Sequence, residues 1–249
     1  MEKISIIFVY FLIYAFLGYI CEVIYVAICT KKITNRGYLL GPLVPIYGVG
    51  ALLIIFPLDK LYNYWFLVLI LGILITSTLE YLVSYFMELI FHMRWWDYSD
   101  KFLNLNGRIC LRNSSMFGAL VMLVIYGLHP IVKDLVFKLF NHEILSYILV
   151  SLALLLFIID FIFSTIKHVK LSRIIKKLDE IYNNIKIKTD EFRKEAKNNL
   201  LEFMNKKNIV RKLKNIKLHY PSFKFRNRKT KENLNINDIE NKLEDYINE

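Results

Sequence analysis

The sequence predicts an all-α, polytopic membrane protein of about five transmembrane helices, followed by a cytoplasmic amphipathic helix or coiled-coil tail. Three observations carry that reading. Hydrophobic residues make up 55% of the 249 and are gathered in long runs, giving a mean hydropathy of +0.38. The linkers between runs alternate between basic and nearly neutral. The charge is also uneven: residues 1–166 hold 11 Lys/Arg against 10 Asp/Glu, whereas 167–249 hold 22 against 12, so the tail carries most of the net +11.

A bilayer core about 30 Å thick takes roughly 20 residues of helix. Five runs meet or approach that length, at about 4–29, 42–58, 63–92, 114–139 and 144–166, and make residues 1–166 the membrane domain. The first begins near Lys3, holds a Glu and lacks a small-residue cleavage site, so it reads as a span and not a cleaved leader. Lys31, Lys32 and Arg36 mark one linker, and Arg94, Lys101, Arg108 and Arg112 another. The linkers at 59–62 and 133–143 balance Lys60 with Asp59, and Lys133 and Lys138 with Asp134 and Glu143. Positive charge favours the inside, which places the N-terminus outside and the basic tail in the cytoplasm of a cell membrane.

In the first run Tyr14, Gly18 and Glu22 recur every four residues, with Tyr25 and Cys29 continuing that side; in the third, Thr76, Glu80, Ser84 and Glu88 do the same. Such stripes face other helices. Glu22, Glu80, Glu88 and Asp160 have no Lys or Arg at a comparable depth in the sequence, with Glu88 closest to an interface by way of His92 and Arg94. An ionised carboxylate at mid-membrane costs about 3 kcal/mol on insertion scales. These acids are therefore expected to be protonated, cation-bound or reached by water.

The second run is short. A helix from Pro42 to Pro57 rises only about 24 Å. Its Gly-Pro start is either an irregular turn, a broken helix entering the membrane, or a tight loop with Gly for close packing. A weak repeat at an offset of 70 residues pairs Gly37 with Gly107, Tyr47 with Phe117 and Gly48 with Gly118.

The 93–113 linker is denser in chemistry than a connection requires. Trp95, Trp96 and Tyr98 are residues that anchor at headgroups. Anchoring does not need Asp97, Asp100, Asn104, Asn106, Arg108 or Arg112, and an Asn-Gly-Arg turn can aim backbone N–H groups and a guanidinium at one anion. His129, before Pro130, reads as an interfacial residue at the outer end of the fourth run.

From 167 to 218, Leu171, Ile174, Leu178, Ile181, Ile185 and Phe192 recur as in an amphipathic helix or short coiled coil. This basic stalk would dock on anionic headgroups or on a second copy. The bilayer is a nearer anion than nucleic acid. Residues 219–249 are Lys/Asn-rich and are expected to be mostly disordered, with a short helix near 236–247.

The sequence has no GxxxxGK[ST], HExxH, GxSxG or SxxK segment, and Cys21, Cys29 and Cys110 lack metal-ligand or disulfide spacing. No catalytic residue, metal ligand or cofactor is expected. Glu22, Glu80 and Glu88 form the candidate binding site for a substrate or ion, with Asn35, Arg36, Asp97, Asn106 and Arg108 as its cytoplasmic mouth.

Several motifs occur together and in order: Gly18-Tyr19-Ile20-Cys21-Glu22, Asn35-Arg36-Gly37, Gly41-Pro42 through Pro45-Ile46-Tyr47-Gly48, Leu79-Glu80-Tyr81, Trp95-Trp96-Asp97-Tyr98-Ser99, and Leu105-Asn106-Gly107-Arg108-Ile109-Cys110-Leu111. Over about residues 5–125 the chain resembles the bacterial membrane family labelled putative ABC-transporter type IV, or CmpB-like. The resemblance implies a transporter permease subunit of unassigned substrate, served by a separate ATP-binding subunit. The alternatives are a non-transporting scaffold or sensor acting through the basic tail, and an intramembrane enzyme acting on lipid.

Overall fold

A computed structural model describes residues 2–31, 37–185, 224–226 and 233–235. It is built of helices: α1 (Glu2–Thr30), α2 (Pro45–Leu58), α3 (Trp65–Phe91), α4 (Leu111–Met122), α5 (His129–Phe140) and α6 (Glu143–Ile185). The strands are two or three residues long: β1 (Met93–Arg94), β2 (Asn104–Leu105), β3 (Ile109–Cys110), β4 (Lys224–Arg226) and β5 (Asn233–Asn235). Among the described residues, four stretches are long and apolar enough to cross a membrane: Glu2–Ile28, Trp65–Phe91, Leu111–Phe140 and Glu143–Ile174. The 14-residue α2 is shorter, at about 21 Å. The protein is an all-α, multi-pass membrane protein.

Two compact units divide the chain: Met1–Val83 with Tyr98–Thr165, and Ser84–Asp97 with Ile166–Glu249. In the first, Tyr10, Tyr14, Ile54, Ile55, Val68, Val121 and Ile125 belong to one core cluster. Between membrane helices small residues allow close packing, and dispersion then holds the pair. Gly48 shows this: a Cβ there would lie 2.6 Å from a Phe11 ring carbon and 2.7 Å from its carbonyl oxygen. On the other helix pair, a Cβ at Gly118 would lie 2.7 Å from Ile73. The stripe on α1 holds at Tyr14 and Gly18, but Val26, four residues past Glu22, and not Tyr25 continues its buried face; Tyr25 is exposed.

The second run starts its helix three residues later than Pro42. Val44 is extended, as a residue before Pro prefers, and Pro45 takes the first helical turn where its missing N–H costs nothing. The Val44 N–H donates instead to the Ala15 carbonyl at 3.0 Å. The fourth run is continuous over Leu111–Phe140 but passes through a π-helical turn at Leu123–Leu128. Pro130 cannot supply the N–H that the Tyr126 carbonyl would otherwise receive, and the wider turn relieves that break. His129 is buried, with Nδ1 3.1 Å from the Tyr14 hydroxyl.

In the second unit α3 ends at His92, which adopts φ 56 while its N–H still donates to the Glu88 carbonyl at 2.8 Å. The Phe91 carbonyl accepts from the Ser172 hydroxyl at 2.8 Å. Trp95 meets His168 edge to face at 4.6 Å between centroids, with Phe91 beside both. Trp95 is thus a buried packing residue and not part of a headgroup belt. Tail strands β4 and β5 pair antiparallel, and β1 pairs with β4. Helix α6 runs unbroken to Ile185; the rest of the stalk and tail, including the coiled-coil and final-helix readings, lies outside the described residues.

Candidate functional site

The first unit builds its polar centre from four elements. On α3 the spacing of four places Gly72, Glu80 and the neighbouring Thr76 on one side, and Glu80 is only 4% exposed. Ser77 on α3 donates to Ser114 on α4 at 2.8 Å, fixing a register that brings Asn113 against the acid. Glu80 Oε1 accepts from Asn113 Nδ2 at 3.2 Å and from the Tyr98 hydroxyl at 3.3 Å; the second Nδ2 hydrogen of Asn113 goes to the Tyr98 oxygen at 2.6 Å. Glu80 Oε2 is closed off from solvent and has no hydrogen-bond partner among the described residues. On the other side, Glu22 Oε1 accepts from the Tyr47 hydroxyl at 2.8 Å, and the Tyr47 and Phe117 rings meet at 6.4 Å. The pair matched by the 70-residue repeat is therefore in contact.

Tyr98 reports on the field at this centre. Burial pushes its phenol well above the usual tyrosine range, and the neighbouring Glu80, Cys110 and Glu22 charges push it the same way. Both carboxylates therefore act on a single hydroxyl.

A hairpin delivers Tyr98. Strands β2 and β3 pair Asn104 with Cys110 and Leu105 with Ile109, and Asn106-Gly107 closes the turn with φ 53 and 66, the left-handed pair that an Asn-Gly hairpin turn requires. The expected use of this turn to bind an anion does not hold for two of its N–H groups: Gly107 donates to Asn104 Oδ1 at 3.1 Å and Arg108 to the Leu105 carbonyl at 3.0 Å. The hairpin satisfies its own backbone first. Asn106 Nδ2 donates to the Tyr81 hydroxyl at 3.0 Å, and the buried Arg108 guanidinium lies 5.6 Å from the centre of the same ring. Asn106 and Arg108 both grip Tyr81, next to Glu80 in sequence. The Tyr98 N–H closes the loop onto Gly107 O at 2.8 Å.

Asp160 serves a different purpose from a charge awaiting a ligand. Its Oδ1 and Oδ2 accept from the Leu40 and Gly41 N–H groups at 3.0 Å each, and Ser164 donates to Oδ1 at 3.1 Å. A Cβ on Gly41 would stand 2.9 Å from Oδ2, so glycine lets the backbone reach the acid. Tyr38 and Thr165 add a 2.7 Å contact between their hydroxyls.

Glu88 and Asp97 belong to the second unit. Glu88 does have a basic partner, against the sequence expectation: Arg94 Nε donates to its Oε2 at 2.8 Å, because the reversal at His92 turns Arg94 back along the helix. Asp97 is half-buried, and Asn35 and Arg36 lie outside the described residues. Asn113 and Tyr47 were not among the expected site residues. The signal for Asn113 was its polar neighbours Ser114 and Ser115 at the start of an apolar run; the signal for Tyr47 was only the weak repeat.

No curated protein and no solved structure matches the chain. The family model described as Putative ABC-transporter type IV matches residues 9–165, which takes the likeness past residue 125 and through Asp160 on α6. With more than half of its length inside that match, including every residue of the Glu22–Glu80 centre, the chain belongs to the Putative ABC-transporter type IV family.

Proposed function

We propose that this chain is a permease-like transport subunit of the cytoplasmic membrane, with Glu22 and Glu80 at the point where solute is handled. Family membership supports transport. The observation that carries the site is Glu80 Oε2, an acid oxygen enclosed by protein and left without a donor among the described residues. A buried carboxylate is costly in a bilayer, and an apolar side chain would serve packing better. Asn106 and Arg108, at the cytoplasmic mouth, hold the hairpin that brings Tyr98 to the acid. The N-terminus lies outside and the tail inside, on the alternation of basic linkers. With no Walker A segment in the chain, ATP is hydrolysed on a separate subunit docked at the cytoplasmic linkers.

The test needs no prior substrate. Membrane vesicles from cells making the wild-type or Glu80→Gln protein are incubated with a cell extract, with and without ATP, and the accumulated solutes are compared by mass spectrometry. At least one solute should accumulate in wild-type vesicles only. Identical profiles at matched protein levels would remove Glu80 from transport, and indifference to ATP would remove the ATP-binding subunit.

A further inference from the structure

The chain enters α2 by way of a strap that is not helical. Residues 37–44 have no regular secondary structure, yet their hydrogen bonds step along two membrane spans. The Tyr38 and Thr165 hydroxyls lie 2.7 Å apart. About one and a half turns back along α6, Asp160 accepts from the Leu40 and Gly41 N–H groups at 3.0 Å each. The Val44 N–H donates at 3.0 Å to Ala15, the middle residue of the Glu2–Ile28 span. Val44 therefore sits at the depth of the bilayer midplane. That depth accounts for the short α2: starting at Pro45, its length of about 21 Å has only the remaining half of the hydrocarbon, about 15 Å, to cross.

Irregular backbone is tolerated at such a depth only where it is buried in protein or lines water. Leu39 and Val44 are 4% and 8% exposed, but Leu40 is 47% exposed and Pro42 is exposed as well. One side of the strap is packed on protein and the other is open. Lipid does not suit the open side, because hydrocarbon cannot solvate the peptide groups that a helix would pair internally. The strap follows the basic linker of Lys31, Lys32 and Arg36, which charge alternation places in the cytoplasm.

Resting on the transport reading, we infer that residues 38–44 line a water-filled vestibule that opens on the cytoplasmic side, ends at the membrane midplane and brings solute to the Glu22–Glu80 centre. The strap runs directly into that centre: the Tyr47 N–H donates to the Val44 carbonyl at 3.0 Å, and the Tyr47 hydroxyl donates to Glu22 Oε1 at 2.8 Å. Asp160 is the positioning residue that holds this wall in place. Such a path admits a hydrated solute from the cytoplasm and not a lipid from the bilayer.

Leu40→Cys and Pro42→Cys are made in the full chain, and inside-out and right-side-out membrane vesicles are treated with a charged, membrane-impermeant maleimide. Peptide mass spectrometry locates the label, so the native cysteines stay. Lys101→Cys in the exposed linker marks full labelling, and Leu152→Cys, 53% exposed on α6, marks a lipid-facing thiol. In inside-out vesicles both strap cysteines should label at least about tenfold faster than Leu152→Cys, since each unit by which apolar surroundings raise a thiol's pKa slows it about that much. A rate equal to that of Leu152→Cys at either position, or labelling confined to right-side-out vesicles, overturns the vestibule. A single folded variant decides. If neither folds, the wild type does: hydroxyl radicals generated in water should oxidise Leu40 and Pro42 well above Leu152, and equal oxidation overturns the vestibule. Labelled strap cysteines alongside identical solute profiles for wild type and Glu80→Gln would reject the transport role of Glu80 and leave the vestibule standing. Unreactive ones alongside Glu80-dependent accumulation would do the reverse.

Discussion

Asn113 Nδ2 lies 3.2 Å from Glu80 Oε1 and spends its other hydrogen on the Tyr98 hydroxyl, 2.6 Å away. One amide thereby joins the start of α4, the middle of α3 and the hairpin linker. Asn113→Leu should destabilise the protein by about 1–3 kcal/mol, the cost of leaving buried acceptors unmet. Thermal unfolding of Asn113→Leu, Tyr98→Phe and the double variant gives the coupling. Strict additivity would mean that the three groups do not act as one network.

Tyr98 also predicts an alkaline limb. Its folded-state pKa is raised above the ordinary 10.0, so its contribution is fully present below that value and is lost as pH rises through the folded pKa. Above pH 10.0 the wild type should lose stability more steeply than Tyr98→Phe, by up to about 1.4 kcal/mol per pH unit. Parallel curves in chemical denaturation would remove the shift.

Asp160 clips residues 40–41 through two backbone N–H groups. In Asp160→Asn one acceptor becomes a donor facing an N–H. Hydrogen exchange at the Leu40 and Gly41 amides should accelerate at least tenfold, since about 1.4 kcal/mol is one decade and a charge-assisted bond contributes about that or more. Unchanged exchange at both would show that the acid does not hold the segment.

Glycines on helix faces should separate by their surroundings. Gly48→Ala drives a methyl into Phe11 and should cost about 1–3 kcal/mol. Gly127→Ala, whose Cβ would meet Leu123 at an ordinary 3.6 Å, should be neutral or slightly stabilising in the same melting assay. Reversal of that order would refute the α1–α2 packing described here.

The Glu88–Arg94 pair is buried on both sides, with side chains 4% and 12% exposed. Removing one partner strands a charge, so Arg94→Met should cost about 3–5 kcal/mol, whereas Glu88→Leu with Arg94→Met should cost less. A double variant no more stable than the single one would show that the pair is not the reason Arg94 is retained.

The fold was largely legible because membrane helices announce themselves locally. Runs of Leu, Ile, Phe and Val mark the helices, and a spacing of four on α1 and α3 marks the sides that carry Tyr14, Gly18, Glu80 and Ser84. Asn106-Gly107 was legible as a turn through its own backbone preference, but its hairpin was not, nor was the helix start at Pro45, three residues past the expected Pro42. Glu88 was misjudged because its partner depends on a left-handed residue at His92, which helical spacing does not reveal.

By itself, then, the sequence determined the helices, the buried acids and the family likeness, all set by short-range periodicity and by hydrophobicity. Only the tertiary structure decided that Glu22 meets Tyr47, that Glu80 meets Asn113 and Tyr98, and that Asp160 holds Gly41 across 119 residues of chain. Those pairings follow from where glycines let helices approach and in what register, a three-dimensional packing outcome that no local pattern encodes. They leave Glu22 bonded to a tyrosine and Asp160 committed to backbone, and Glu80 with one buried oxygen to offer.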